Sequence, residues 1–571
     1  MQSSASSGTS LGEQFRSYNR IFWTGNAMEM FERLSYYGLR TVIPIYMVLS
    51  LSEGGLELSH TEKGQIFMWW AAVQSFVPIF TGGYADRYGY KLTVGVSIAI
   101  KILGYLVMGY AVELAGLFSF TDMSTHDLNF WSFTVGALLL ALGTAVFKPG
   151  IQGIIAAQLE ERTSSLGWSL FYQLVNVGGW LGPFLAGFMR LMSWKWVFIS
   201  CALIVAINYL LLLTFEEPVQ PQEDDDASQE ESGLRTLFKT GWNTTVQMFE
   251  PRLFGFLVIF SGFWMMFYQL FDLLPNYIDD WVDSRQVFAA IVQPLFSSVG
   301  ASAPEAWAGY VPQEHMININ AAMCMLFAWL VGYFTGKTRS MYAMILGMAI
   351  ASVGIYALGL STNGWAIIGA IMLFSLGELS ASPTKMRYMM TIAPPGKNAT
   401  YLGYVNATGG IGWSLGSALA GRLYDAHGDK VMLARRYLGD ELNWSQEAVS
   451  RLGRDEVLTT LGTALDKTPT EVRERLFDLY APNMIWEQFA IYGIVSMFGL
   501  IGYDLITRQG SRWENVAIMA LTFAVATYCY GLWWGLAFVQ AMALYLLFYN
   551  EGHVFRDPSS EDEPATVEPA A

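Results

Sequence analysis

Apolar residues run along this chain in blocks long enough to cross a bilayer as helices, for which about 20 residues suffice. They lie near 21–50, 63–84, 91–115, 130–151, 165–191 and 195–215, and again near 252–282, 315–336, 340–361, 363–392, 400–424 and 485–507. An acidic stretch at 216–250 splits the twelve into six plus six, and its centre, Gln222 to Glu231, has the composition of a disordered linker. The pattern predicts an all-α polytopic membrane protein with a polar tail at 1–20, a six-helix bundle at 21–215, the linker at 216–250 and a second bundle at 251–507. Two additions stand outside this layout. About sixty polar residues at 425–483 read as an external helical insertion, with helix starts at Ser445 and at Thr468-Pro469. The apolar segment at 508–550 is too long for one crossing, since Trp513 to Tyr549 would make a helix of roughly 55 Å against a hydrocarbon core of about 30 Å. Tyr528, Tyr530, Trp533 and Trp534 cluster around Gly531 at its middle, and such aromatics favour membrane interfaces. A transmembrane hairpin turning at Gly531 is expected, for about 14 helices in all, followed by an acidic tail at 551–571. One tilted helix with an interfacial extension is the alternative.

Arg16, Arg20, Arg87, Lys91, Lys337, Arg339, Lys397, Arg508 and Arg512 fall on one side of this topology, and the connection from Glu113 to Phe130 has no Lys or Arg. By the positive-inside rule the N-terminus is cytoplasmic. A multi-pass protein of the cell (inner or plasma) membrane is expected, with the lipid bilayer as its surroundings and a monomer as its state. Only 14% of the 571 residues are charged and 53% are hydrophobic, where a soluble chain carries about 25% charge. The net charge of −15 comes mainly from tails and loops and argues against a nucleic-acid partner. Cys201, Cys324 and Cys529 lie in apolar blocks, and His60, His126, His315, His427 and His553 fall in loops or at block ends without metal-ligand spacing. No metal, no covalent catalysis and no phosphate-binding loop are expected, so the chain does not read as an enzyme.

Charge inside the first block directs the functional reading. Asn26 to Arg40 carries Glu29, Glu32, Arg33 and Arg40 at spacings that put them on roughly one helical face. A charge at bilayer depth costs on the order of 2.5–3.5 kcal/mol, so such groups face a cavity or one another and mark an ion or substrate path. A neutralised pair that only fixes packing is the plainer alternative, but it leaves the second Glu and the second Arg unexplained.

Glu29-x-x-Glu32-Arg33 followed by Tyr36, Tyr37, Gly38 and Arg40 resembles the first-helix signature of the proton-dependent oligopeptide transporter family, a branch of the major facilitator superfamily. Other segments carry the same resemblance. Gly82 to Lys91, with Asp86 and Arg87 at its centre, resembles the superfamily's cytoplasmic loop motif. Val146-Phe147-Lys148-Pro149-Gly150 resembles a Phe-Lys-Pro-Asn segment with Gly150 in place of Asn, and Phe171 to Gly178 is close to Phe-Tyr-x-x-Ile-Asn-x-Gly. Gly377-Glu378-Leu379-Ser380-Ala381-Ser382-Pro383 resembles Gly-Glu-Leu-x-x-Ser-Pro. The likeness covers about residues 20–424 plus the twelfth block. It departs at Ser75, where the family has a tyrosine, and at Tyr268, where it has an acidic residue; Asp272 lies one helical turn further on.

The resemblance implies the major facilitator fold and a proton-coupled symporter that imports di- and tripeptides, or similar zwitterionic solutes, by alternating access. The proton gradient supplies the energy and no cofactor is implied. On this basis Glu29 and Glu32 are the proton-linked carboxylates, with Arg33 and Lys148 as switching partners. Arg40 is expected to bind a substrate carboxylate and Glu378 a substrate amine. Tyr36, Tyr37, Asn176, Trp264 and Tyr268 would line the pocket, and Asp86 and Arg87 would gate it. Two pairings are also expected: Lys148 with Glu378 across one cavity, and Arg40 with Asp272 as an external gate. Lys148 snorkelling to the interface and Asn176 serving as interhelical glue stand as structural alternatives. For the whole chain the alternatives are a transporter of another organic solute or drug, and a non-transporting membrane receptor or scaffold.

Overall fold

The computed structural model describes residues 15–78, 81, 85, 88–118, 120–217, 241–242, 245–394 and 398–549. Among these the chain is helical, with no named strand. The first bundle holds α1 (Arg20–Val48), α2 (His60–Phe76), α3 (Tyr90–Gly109), α4 (Thr125–Ala156), α5 (Glu161–Met192) and α6 (Trp194–Leu212). The second begins with α7, in three consecutive pieces at Pro251–Phe267, Gln269–Asp272 and Leu274–Trp281, followed by α8 (Gln313–Ile317 and Ile319–Gly336), α9 (Ser340–Leu358), α10 (Gly364–Ile392) and α11 (Asn398–His427). The insertion supplies α12 (Lys430–Asp440), α13 (Gln446–Ser450), α14 (Arg454–Leu465) and α15 (Pro469–Tyr480), after which α16 (Met484–Gln509) completes the bundle. Last come α17 (Glu514–Tyr530) and α18 (Leu532–Tyr549).

Two hydrophobic cores follow this division. One is built almost entirely from α1–α6, and the other runs from α7 through the insertion to Met542 and Leu546 of α18. Nine of the described helices are long and apolar enough to cross a membrane by length and composition alone. The helix that falls short through charge is α1, the one that carries Glu29, Glu32, Arg33 and Arg40. Its place in the first bundle is set by close packing on α5. A Cβ on Gly178 would lie 2.4 Å from the Met30 carbonyl oxygen, and one on Gly182 would lie 2.3 Å from that of Leu34. Small residues four apart let two membrane helices approach backbone to backbone.

The long C-terminal segment breaks where the aromatic cluster predicts. Gly531 has φ +96°, a conformation that L side chains rarely adopt. Gly535 then packs against Thr527, so α18 folds back along α17, and the hairpin sits on the second bundle through the Ser261–Tyr530 hydroxyl contact of 2.7 Å. In the insertion, Ser445 and Thr468 cap α13 and α15 as their positions suggest, the latter in a capping box with Glu471. The insertion's other two helices, α12 and α14, have no start in the sequence reading. Their apolar residues, among them Leu433, Leu438, Val457 and Leu461, join the core of the second bundle.

Candidate functional site

The charges of α1 converge with a lysine from α3. Arg33 Nε lies 3.2 Å from Glu29 Oε1, and the same guanidinium bonds Glu32. The other oxygen of Glu32 takes Lys101 Nζ, so this carboxylate is held between two cations. All four side chains are buried. As a set they are neutral, and the low-dielectric attraction offsets the cost of taking each charge out of water. Arg33 also stands over the Tyr36 ring at 4.9 Å and near that of Tyr37 at 5.9 Å. The sequence reading missed Lys101, although it sits inside an apolar block and gave the same signal as Lys148, a cation at bilayer depth.

The expected Lys148–Glu378 pair does not form. The charged groups acting on Lys148 are Arg33, Glu29 and Glu32, all in its own bundle. Glu378 belongs to α10 and takes a hydrogen bond from Asn320 Nδ2 at 2.7 Å, with Cys324 Sγ at 3.9 Å. Helix α4 packs within the first bundle beside α1 and α3, which keeps its lysine near their charges. The neighbouring amide meanwhile satisfies Glu378.

Arg40 and Asp272 form the expected ion pair across the two bundles. Asp272 Oδ2 also accepts from Ser417 Oγ at 2.5 Å and from Trp413 Nε1 at 3.2 Å, and the Arg40 guanidinium lies 4.1 Å over the Phe67 ring. Arg40 is therefore engaged by Asp272 and buried in this conformation. Nearby, Lys63 Nζ donates to Asn276 Oδ1 at 2.6 Å and Arg190 Nε lies 2.9 Å from Glu314 Oε1. Helices α2 and α11 touch so closely that a Cβ on Gly421 would lie 2.2 Å from the His60 carbonyl oxygen.

This closure continues into the insertion. Asp425 accepts from the backbone N–H groups of His60 (2.9 Å) and Thr61 (2.7 Å), capping α2 from the other bundle. Asp429 lies between His60 Nε2 at 2.9 Å and Arg454 at 2.5 Å. Burial by itself would raise the Asp429 carboxyl, but the adjacent His60 imidazole and the bond from Arg454 outweigh it and hold the group well below the usual carboxylate range. His60, Asp425 and Asp429 offer ligand atoms within 4.8 Å of one another. Arg454 already neutralises one carboxylate and the start of α2 occupies the other, so the arrangement is an ion-pair latch. No spacing rule could find it, because its members come from opposite bundles. These bonds clamp the bundles together at the end that carries the insertion. At that end a cleft of about 1040 Å³ also lies between α7, α14 and α15, lined by Asp280, Lys430, Asp455 and Arg473.

The remaining assigned residues divide by exposure. Tyr37, Lys148, Asn176, Trp264, Tyr268 and Glu378 are partly exposed, whereas Tyr36 is buried and bonds Gln74 at 3.0 Å. Asn176 Nδ2 donates to the Tyr172 carbonyl on its own helix at 2.9 Å. Tyr268 stacks on Trp413 at 4.5 Å with an 11° interplanar angle, and the indole N–H of Trp413 goes to Asp272. Tyr268 and Asp272, one turn apart, are thus linked through Trp413. Ser75 faces Gly410 closely, and a Cβ added to that glycine would lie 2.7 Å from the Ser75 Cβ. Asp86 and Arg87 lie outside the described residues.

The family model described as Major Facilitator Superfamily matches residues 27–417. Among curated relatives, the Peptide transporter YePEPT of Yersinia enterocolitica is 23% identical over 425 residues, 64% of this chain and 80% of its own length. The Multidrug resistance protein MdtH of Escherichia coli is 20% identical over 354 residues, 62% of this chain and 75% of its own. A POT family transporter solved in complex with 5-aminolevulinic acid superposes with a TM-score of 0.55 at 16% identity, covering 83% of this chain and 98% of that one. The peptide transporter POT in complex with sulfate gives a TM-score of 0.53 at 17% identity, with coverage of 84% and 94%. The fold is that of these transporters. The resemblance to the proton-dependent oligopeptide family holds, and these relatives are transporters rather than enzymes.

Proposed function

On the premise that this chain belongs to the major facilitator superfamily, we propose that it is a proton-coupled symporter of di- and tripeptides or similar zwitterionic solutes. The observation that carries this reading is Glu32, a buried carboxylate held by both Arg33 and Lys101 and adjoining Glu29. A carboxylate in a low-dielectric site resists charge, and a cationic partner restores it. When the bundles re-pack and a partner is exchanged, the carboxylates take up or release a proton. Linkage then makes proton and substrate binding reciprocal. A proton moving inward gains about 2.3 kcal/mol per 100 mV, roughly fiftyfold accumulation at one-to-one coupling.

With the N-terminus cytoplasmic, the clamped end is external and this conformation is closed to the outside. The Arg40–Asp272 pair and the Asp429 latch are then the external gate, and opening requires breaking them. Glu378, whose field also reaches Tyr37, receives the substrate amine, and Asn176, Trp264 and Tyr268 line the passage.

The test is uptake of labelled di- and tripeptides into proteoliposomes under an imposed inward proton gradient. Accumulation that collapses with a protonophore supports the reading; none above protein-free liposomes rejects it. Transport of another organic solute is the second reading, favoured by the Tyr268–Trp413 stack and by the replacement of a tyrosine by Ser75. The same liposomes, challenged with aromatic drug-like cations and anions, separate the two.

A further inference from the structure

Most buried cations of the two bundles already have an acceptor: Arg33 and Lys101 share the carboxylates of α1, Arg40 has Asp272, and Lys63 has an amide and a carbonyl. Lys385 on α10 differs. It is 5% exposed, and no charged side chain among the described residues acts on it. Its Nζ bonds Thr408 Oγ1 at 3.2 Å and otherwise meets the ring faces of Trp264 at 4.3 Å and Phe260 at 5.6 Å. Among the described residues, Trp264 Nε1 and, three residues earlier on α10, Ser382 Oγ are also buried without a hydrogen-bond partner. The ammonium thus sits among α7, α10 and α11, beside the Trp264 indole and the Thr408 hydroxyl, with no anion among the described residues to receive it. Buried donors of this kind are costly unless something pairs with them.

We propose that Lys385, with Trp264, Ser382 and Thr408, forms an anion subsite for the substrate carboxylate in this conformation, the state in which Arg40 is engaged by Asp272. This inference rests on the symporter reading and sharpens it. Glu378, Ser382 and Lys385 follow one another at four and three residues, so they share a face of α10. The seven-residue step from Glu378 to Lys385 spans about 10.5 Å along the helix axis. A fully extended three-residue peptide reaches about 10–11 Å. The acid would take the amine and the lysine the carboxylate, so the subsite favours tripeptides with a free C-terminus over dipeptides and over C-terminal amides.

The experiment measures uptake of tri-alanine, its C-terminal amide and di-alanine by proteoliposomes holding the wild-type protein, Lys385→Gln or Lys385→Arg. Lys385→Gln is expected to raise the KM for tri-alanine about tenfold or more, to leave that for the amide nearly unchanged, and to be largely rescued in Lys385→Arg. The same KM for tri-alanine in wild type and Lys385→Gln, with wild-type accumulation intact, overturns the subsite and leaves the symporter reading standing. No concentrative uptake by the wild type overturns both. Thermal unfolding supplies the control, since removing an unpaired buried charge should leave the melting temperature unchanged or raised. A clear fall would mark Lys385 as structural and also overturn the subsite.

Discussion

In the first bundle, the buried charges of α1 and α3 face one another: Glu29 and Glu32 share Arg33, and Lys101 closes the set. In the second bundle, Glu378 and Lys385 stand seven residues apart on one helix, and neither meets an opposite charge among the described residues. Glu378 has an amide and a thiol, Lys385 a hydroxyl and two rings. The two arrangements have different physical uses. A neutral cluster persists in the absence of any ligand and responds when a partner moves, which suits proton coupling. A charge without a counter-charge, on the partly exposed Glu378 as on the buried Lys385, is left for an opposite charge to meet, which suits substrate recognition. On the proposed symporter reading, one bundle titrates and the other binds, with Arg40–Asp272 joining them.

Glu32→Gln attacks this contrast most strongly. It strands Lys101 and half of Arg33, so a stability loss of roughly 3–5 kcal/mol is expected, the cost of removing one partner from a buried pair. Proton-driven accumulation should vanish while counterflow exchange survives, as read by thermal unfolding and by transport with and without a gradient. Concentrative uptake at the wild-type rate sinks the coupling role. Next in size is the link between the bundles. Arg40→Asp and Asp272→Arg should each cost about as much as other broken buried pairs, and the double exchange should recover part of the lost transport. Recovery stays incomplete because Ser417 Oγ and Trp413 Nε1 would then point their hydrogens at a guanidinium. If the double variant is no better than the worse single one, the pair does not gate.

The smallest stability effect belongs to Glu378→Gln. No cation is left unpaired and Asn320 keeps an acceptor, so stability should stay within about 1 kcal/mol of wild type. The KM for solutes with a free amine should nevertheless rise, while N-blocked analogues are unaffected. A destabilisation as large as that of Glu32→Gln would erase the distinction between the bundles.

Particular residues show where sequence reading stopped. Glu29, Glu32 and Arg33 stood out because charge at bilayer depth is rare, and Asp272 because an acid had shifted by one turn. Lys101 and Lys385 carried the same signal but lie outside the family motifs that drew attention elsewhere. The Lys148–Glu378 pairing failed because matching two charges by sign leaves open which bundle each one reaches into. His60, Asp425, Asp429 and Arg454 are unremarkable singly; they become a latch only when α2 meets the insertion.

The chain by itself determined which segments become membrane helices, where charge is buried, and that the C-terminal segment turns at Gly531. These are local outcomes: apolar transfer free energy accumulates along a segment, a helix satisfies its own backbone, and a positive φ calls for glycine. Only the tertiary structure decided which cation holds which carboxylate, which cation is left without one, and which end of the bundles is clamped. Those depend on distances of a few ångströms between residues far apart in sequence, over which an ion pair gains or loses most of its energy.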